Sequence, residues 1–117
     1  MPFQFSAQTF PSGIPYLRID AHDHVELEHA QRLGVELERP EYRGKALSVV
    51  QKGTIYTPKA RKHFQTINES FSFLAVVVTS AVLRTATNLM MRLTHDGRGE
   101  IRMFTDEAEA LAWLERQ

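Results

Sequence analysis

A chain of 117 residues is long enough for one domain, 1–117, whose single core buries roughly two-thirds of the unfolded surface. The absence of cysteine rules out a disulfide framework, thiolate metal sites and a cysteine nucleophile. The 14 Lys and Arg balance 14 Asp and Glu, against the basic excess of a non-specific nucleic-acid binder. No apolar stretch approaches the ~20 residues that span a bilayer, and Met1-Pro2-Phe3-Gln4 lacks a basic leader, so the expected location is the cytoplasm.

Phe3, Phe5 and Ala7 alternate with Gln4, Ser6 and Gln8, which predicts a strand with one buried face. Pro11-Ser12-Gly13 turns the chain into a second alternating run from Ile14 to Ala21. There Leu17, Ile19 and Ala21 face one way and Tyr16, Arg18 and Asp20 the other, the pattern of an antiparallel hairpin. Asp23 with Glu26 reads as a capping box for a helix with a core stripe of Leu27, Ala30, Gly34 and Leu37, Leu33 beside it, stopped by Pro40.

From Lys45 onward three strand-then-helix units follow, the signature of a parallel sheet under crossover helices. The first has Ala46, Leu47, Val49 and Val50 as its strand, Gly53 to Tyr56 as a loop, and Thr57-Pro58 as a helix start. Ala60, Phe64 and Ile67 form the apolar stripe of that helix, and Asn68 ends it. Phe73 to Thr79 is the most apolar run, as expected of a central strand. Thr79 or Ser80 then caps a helix carrying Leu83, Ala86, Leu89, Met90 and Leu93. The last unit runs Ile101 to Thr105, with Asp106 and Glu109 as a capping box and Ala108, Leu111, Ala112 and Leu114 facing inward.

The expected fold is therefore α/β: a mixed, mostly parallel sheet of about five strands with an N-terminal hairpin and four helices mainly on one face. Polar residues such as Arg18 and Arg102 in the outer strands suggest that the opposite face is partly open. Tyr16 and Phe104 would then lie there on a surface suited to self-association. Between Tyr42 and Arg102, Lys and Arg far outnumber the acids Glu69, Asp96 and Glu100. Solvated helix faces account for this segregation, and an acidic or phosphorylated protein partner is the functional alternative.

Ser80 to Arg84, Asn88 to Leu93 and the ending Arg102 to Leu114 resemble the STAS-like (SpoIIAA-like) family, which shares its fold with the anti-sigma-factor antagonists. The resemblance implies neighbouring successive strands, often in a homodimer, and a non-enzymatic role in binding or regulation. In the antagonist branch a serine in an Asp-Ser-Ser-Gly-like loop is phosphorylated at a helix start. The matching stretch here, Gly53 to Pro58, departs from that pattern, leaving Thr57 as a weak phosphorylation candidate whose plainer role is a helix cap. The related SEC14-like carriers imply an alternative: a small apolar ligand or lipid lined by Met90 and Met91.

Asp20, His22, Asp23, His24 and His29 cluster, and imidazoles with carboxylates suit zinc or iron, but their spacing matches no ligand motif and surface histidines are the plainer account. Ser80 follows a central strand, yet Val78 to Val82 lacks the glycines of a nucleophile elbow, and the chain has no Gly-rich phosphate loop. The expectation is a binding module without chemistry, cofactor or metal, with Tyr56, Thr57, Thr79, Ser80 and Arg84 as the contact surface on the strand-end loops.

Overall fold

The opening alternation builds a hairpin. In the computed structural model, which describes residues 2–64, 71–78 and 100–117, β1 (Phe3–Thr9) pairs antiparallel with β2 (Pro15–Ala21), Phe5 opposite Ile19 and Ala7 opposite Leu17. The turn closes with the Phe10 N–H donating to the Ile14 carbonyl at 2.9 Å.

After the hairpin come β3 (His24–Val25), α1 (Leu27–Leu37), a 3-10 turn (Pro40–Tyr42), β4 (Lys45–Val50), β5 (Ile55–Tyr56) and α2 (Pro58–Phe64). Then follow β6 (Phe73–Val78), β7 (Glu100–Phe104) and α3 (Glu107–Glu115). The main sheet has the order β1-β2-β4-β6-β7, and all its contacts after the hairpin are parallel. β3 and β5 form a separate two-stranded parallel ribbon. The predicted helix after Val78, with Thr79, Ser80, Arg84, Met90 and Met91, lies outside the described residues, as do Ile67 and Asn68.

Side-chain alternation divides the core between two faces of the sheet. On one face Leu17, Ile19 and Ala46 pack with Ala30, Leu33 and Leu37 of α1 and Ala60 of α2. On the other, Leu47, Ala75 and Val77 pack with Ala110, Trp113 and Leu114 of α3. Each large aliphatic side chain fully buried here contributes about 1.5–3 kcal/mol. Two of the three described helices thus share a face, and the third covers the opposite one.

That arrangement overturns the open face read from the polar alternation. Tyr16 is buried, its ring stacked 4.3 Å from Phe10, and Phe104 packs 5.8 Å from Trp113. The charges that suggested open surface instead fasten a helix: Arg18 binds Asp20 at 3.1 Å and also Glu107 on α3. The hydrogen bonds that Arg18 donates, chiefly to Glu107 and then to Asp20, hold its guanidinium above its ordinary range against the opposing effect of burial. Lys45 is buried as well, donating to the Gln117 carbonyl with its ammonium 5.8 Å from the Phe10 ring centre.

Helix ends differ from the sequence reading in detail. α1 starts at Leu27, not after Asp23: Glu26 is its N-cap, and the Glu26 N–H donates to His29 Nδ1 at 3.0 Å in a capping box. Asp23 sits in the left-handed region at φ 57° and leads into β3. Asp106 caps α3 as expected, accepting from the Ala108 N–H at 3.1 Å, while Glu109 forms no reciprocal bond among the described residues. The inward face of α3 is Ala110, Trp113 and Leu114 with Leu111 half-buried, whereas Ala108 and Ala112 are exposed. A helix with apolar residues on nearly every side gives no single stripe, and the bulk of Trp113 decides which side turns inward.

Candidate functional site

Parallel strands deliver their following loops to one rim, and the register shows how level that rim is. Ala21 lies opposite Val50, and Val50 opposite Val78, so β2, β4 and β6 end together. Beyond those ends the chain builds a small platform. Lys52 and Gly53 form the turn after β4, with Gly53 at φ 89° where a side chain is disfavoured. Thr54 is buried beneath it, its hydroxyl 2.6 Å from the Gln51 carbonyl and 3.1 Å from that of Ala21.

The two-stranded ribbon rests on this base. The Ile55 N–H donates to the Asp23 carbonyl at 2.8 Å, and the Thr57 N–H to the Val25 carbonyl at 3.0 Å. His24 pairs with Ile55 and Val25 with Tyr56. Because side chains alternate along a strand, Val25 and Tyr56 point to the core and His24 and Ile55 point outward. Ile55 is 52% exposed, and in the described residues only Val35 on α1 is a comparably exposed large apolar side chain.

The two described members of the predicted contact surface are thus adjacent on this platform. Tyr56 is half-buried with its ring edge-on to Phe64 at 5.5 Å, and burial pushes its phenol pKa above the ordinary value. Thr57 caps α2: its hydroxyl accepts from the Ala60 N–H at 3.3 Å and its carbonyl from the Arg61 N–H at 2.9 Å. Pro58 occupies the first helical position, as Thr-Pro predicts. Thr79, Ser80 and Arg84, and the ligand-lining candidates Met90 and Met91, fall outside the described residues.

Exposed cations precede and follow β5 along the chain, while the exposed acids Asp23 and Glu26 bracket β3. Lys52, Lys59, Arg61 and Lys62 are all exposed, and no ion pair among the described residues involves them. The first turn of α2 carries no acid to offset the positive helix end. Sequence reasoning identified the basic excess of this region and read His24 as a surface histidine, but it missed the exposed Ile55, because two-residue strands leave too short a pattern to read.

Two of the clustered histidines, His22 and His29, serve local structure. His22 Nδ1 lies 2.9 Å from the Asp23 carboxylate, and His29 Nδ1 accepts the capping N–H of Glu26, which occupies that nitrogen's lone pair. Among the described residues no three His, Asp or Glu side chains converge to hold a metal ion.

The five-stranded sheet order and the rim define a SpoIIAA-like α/β fold. The chain is similar to an uncharacterized protein of the DUF3478 family with a SpoIIAA-like fold from Shewanella loihica PV-4, with a TM-score of 0.66 over 96% of this chain and 93% of that one, at 19% identity. Residues 9–117 match the family described as a domain of unknown function, DUF7793, and the chain belongs to that family. No curated protein matches it. No helix among the described residues is long and apolar enough to cross a membrane.

Proposed function

We propose that the protein is a non-enzymatic regulatory module of the cytoplasm that works as a homodimer and binds a protein partner at the carboxyl rim of its sheet. The observation that carries this reading is the exposed Ile55, next to His24 on the ribbon and flanked by Lys52, Lys59, Arg61 and Lys62. An apolar contact with cations on both sides of it in the chain suits an acidic protein surface: the Ile55 side chain supplies burial and the cations supply steering and orientation. Thr57 and Tyr56 hold this surface in place, the first by capping α2 and the second by anchoring the ribbon against Phe64. The SpoIIAA-like fold supports a binding role by analogy of architecture.

A photo-crosslinking residue placed at Ile55 tests the reading in cells, with the same group at the exposed Val35 of α1 as control. The expected result is a defined acidic protein captured from position 55 and not from position 35, lost when Lys59→Glu and Lys62→Glu are combined. Capture that ignores this charge reversal, or that is equal at both positions, would overturn the proposed surface.

A further inference from the structure

The two edges of the main sheet are built differently. β7 carries Glu100 and Arg102, which pair at 3.6 Å, the kind of charged edge that discourages another strand from adding to it. β1, at the other edge, reads Phe-Gln-Phe-Ser-Ala-Gln-Thr, seven residues with no charge and no proline.

Its backbone is available as well. The His22 N–H donates to the Pro2 carbonyl and the Phe10 N–H to the Ile14 carbonyl, both at 2.9 Å. With Gln4 opposite Asp20, Ser6 opposite Arg18 and Gln8 opposite Tyr16, the even-numbered residues of β1 form the narrow, hydrogen-bonded pairs with β2. The N–H and C=O groups of Phe3, Phe5, Ala7 and Thr9 therefore point away from β2, along the outer edge of the sheet. They make no hydrogen bond among the described residues.

From this edge we infer that two copies of the chain join through antiparallel pairing of β1 with β1, continuing the sheet across a two-fold axis at Ser6. The inference rests on the homodimeric reading above and names the surface that makes the dimer. The sequence is self-complementary about Ser6. Phe3 meets the partner's Thr9 and Phe5 meets the partner's Ala7, and these odd-numbered residues are the ones whose backbone groups point outward. Gln4 meets the partner's Gln8, and Ser6 meets the partner's Ser6, so polar side chains share one face. On the other face the half-buried Phe5 gains cover from the exposed Ala7 of the second copy. An uncharged strand pairs with itself without like-charge repulsion, and the two-fold closes the assembly by consuming both free edges.

Cysteine substitution tests the register directly, since the chain has no other cysteine. At the dyad, Ser6 and its symmetry mate form a pair without backbone bonds, whose Cα atoms lie about 4.5 Å apart, within disulfide reach. Ser6→Cys should convert to covalent dimer under mild oxidation, and Gln4→Cys, four residues from its own mate, should not. Equal cross-linking of the two variants would overturn the pairing.

Sedimentation supplies the second measurement. The wild-type chain is expected at twice its own mass. Ala7→Pro removes only an outward N–H, sparing the β1–β2 ladder, and is expected to halve that mass with an unchanged circular dichroism spectrum. Ala7→Lys, at an exposed side chain, is expected to do the same, and it decides the matter should the proline variant not fold. A folded variant that stays at twice the chain mass overturns the β1 interface while leaving a homodimer through another surface. A wild type that stays at the chain mass overturns both.

Discussion

At the scale of single residues, Gly44 shows how one missing side chain lets two strands begin side by side. Its φ is 76°, and its carbonyl accepts from the N–H groups of both Ser72 and Phe73, at 2.8 and 2.9 Å, where β6 joins β4. A Cβ built there would lie 2.6 Å from Ser72 Oγ and 2.8 Å from the Ser72 backbone nitrogen. The hydroxyl can rotate away, but the backbone cannot without stretching the bonds that start the pairing. Gly44→Ala is therefore expected to cost about 2 kcal/mol or more, combining left-handed strain with this contact. A fall in the urea midpoint at constant slope measures it, and an unchanged midpoint would contradict it.

Two tyrosines make stability sensitive to alkali. Burial raises the phenol of Tyr56 and, with a smaller opposing effect of Arg18, that of Tyr16. Unfolded tyrosines ionise near pH ~10, where the folded protein still holds these protons, so the folded state binds more protons and loses stability as pH rises. This contribution is intact below pH ~10 and disappears as pH climbs through the raised folded values. The melting temperature is expected to fall above that pH, less steeply for Tyr56→Phe than for the wild type. Parallel curves for the two proteins would show that Tyr56 takes no part.

Among the described elements, α3 is the one that closes the core on its face of the sheet. Trp113 is buried, with Phe73 at 6.2 Å, Phe104 at 5.8 Å and the Arg102 guanidinium 5.3 Å above its ring. Trp113→Ala is expected to cost about 3–5 kcal/mol, a large part of the roughly 5–15 kcal/mol that holds a domain folded. Trp113→Phe, which keeps an aromatic ring, should cost markedly less. Chemical denaturation followed by circular dichroism gives both values, and equal losses would mean that the ring contacts matter little.

The same helix shows where sequence patterns stop being readable. The stripe of α1 was legible because polar residues separate its apolar ones: Ala30, Leu33, Gly34 and Leu37 are buried as the 3.6-residue period predicts. From Ala108 to Leu114 almost every position is apolar, so the period loses contrast and the predicted inward set included Ala108 and Ala112, which are exposed. The cap of α1 moved from Asp23 to Glu26 for a related reason, since β3 claims His24 and Val25 through pairing with a segment some thirty residues later. Local chemistry carries no record of such a distant partner. Thr57 and Pro58, by contrast, act within their own turn of helix and were legible at once.

For the molecule as a whole, the parallel arrangement and the shared rim were legible because each strand run was short, β-branched and followed by a helix start. What escaped was the distribution of layers. Arg18 looked like a solvent-facing residue, and only the meeting of β2 with Glu107, far along the chain, turns it into an anchor for α3. The position of Tyr56 and Thr57 beyond the strand ends was legible from the strand-end rule, while the outward turn of Ile55 depends on a ribbon that no local pattern announces.

The order β1-β2-β4-β6-β7 matches the order in which a ribosome releases these segments. Each newly emerging segment can dock on the border left by its predecessor, and no earlier pair has to separate to admit a later one. Assembly can therefore advance during translation from β1 toward β7, leaving the apolar surface under Trp113 uncovered until α3 has been synthesised. A nascent chain arrested before that point would present Leu47, Ala75 and Val77 to chaperones instead of to α3.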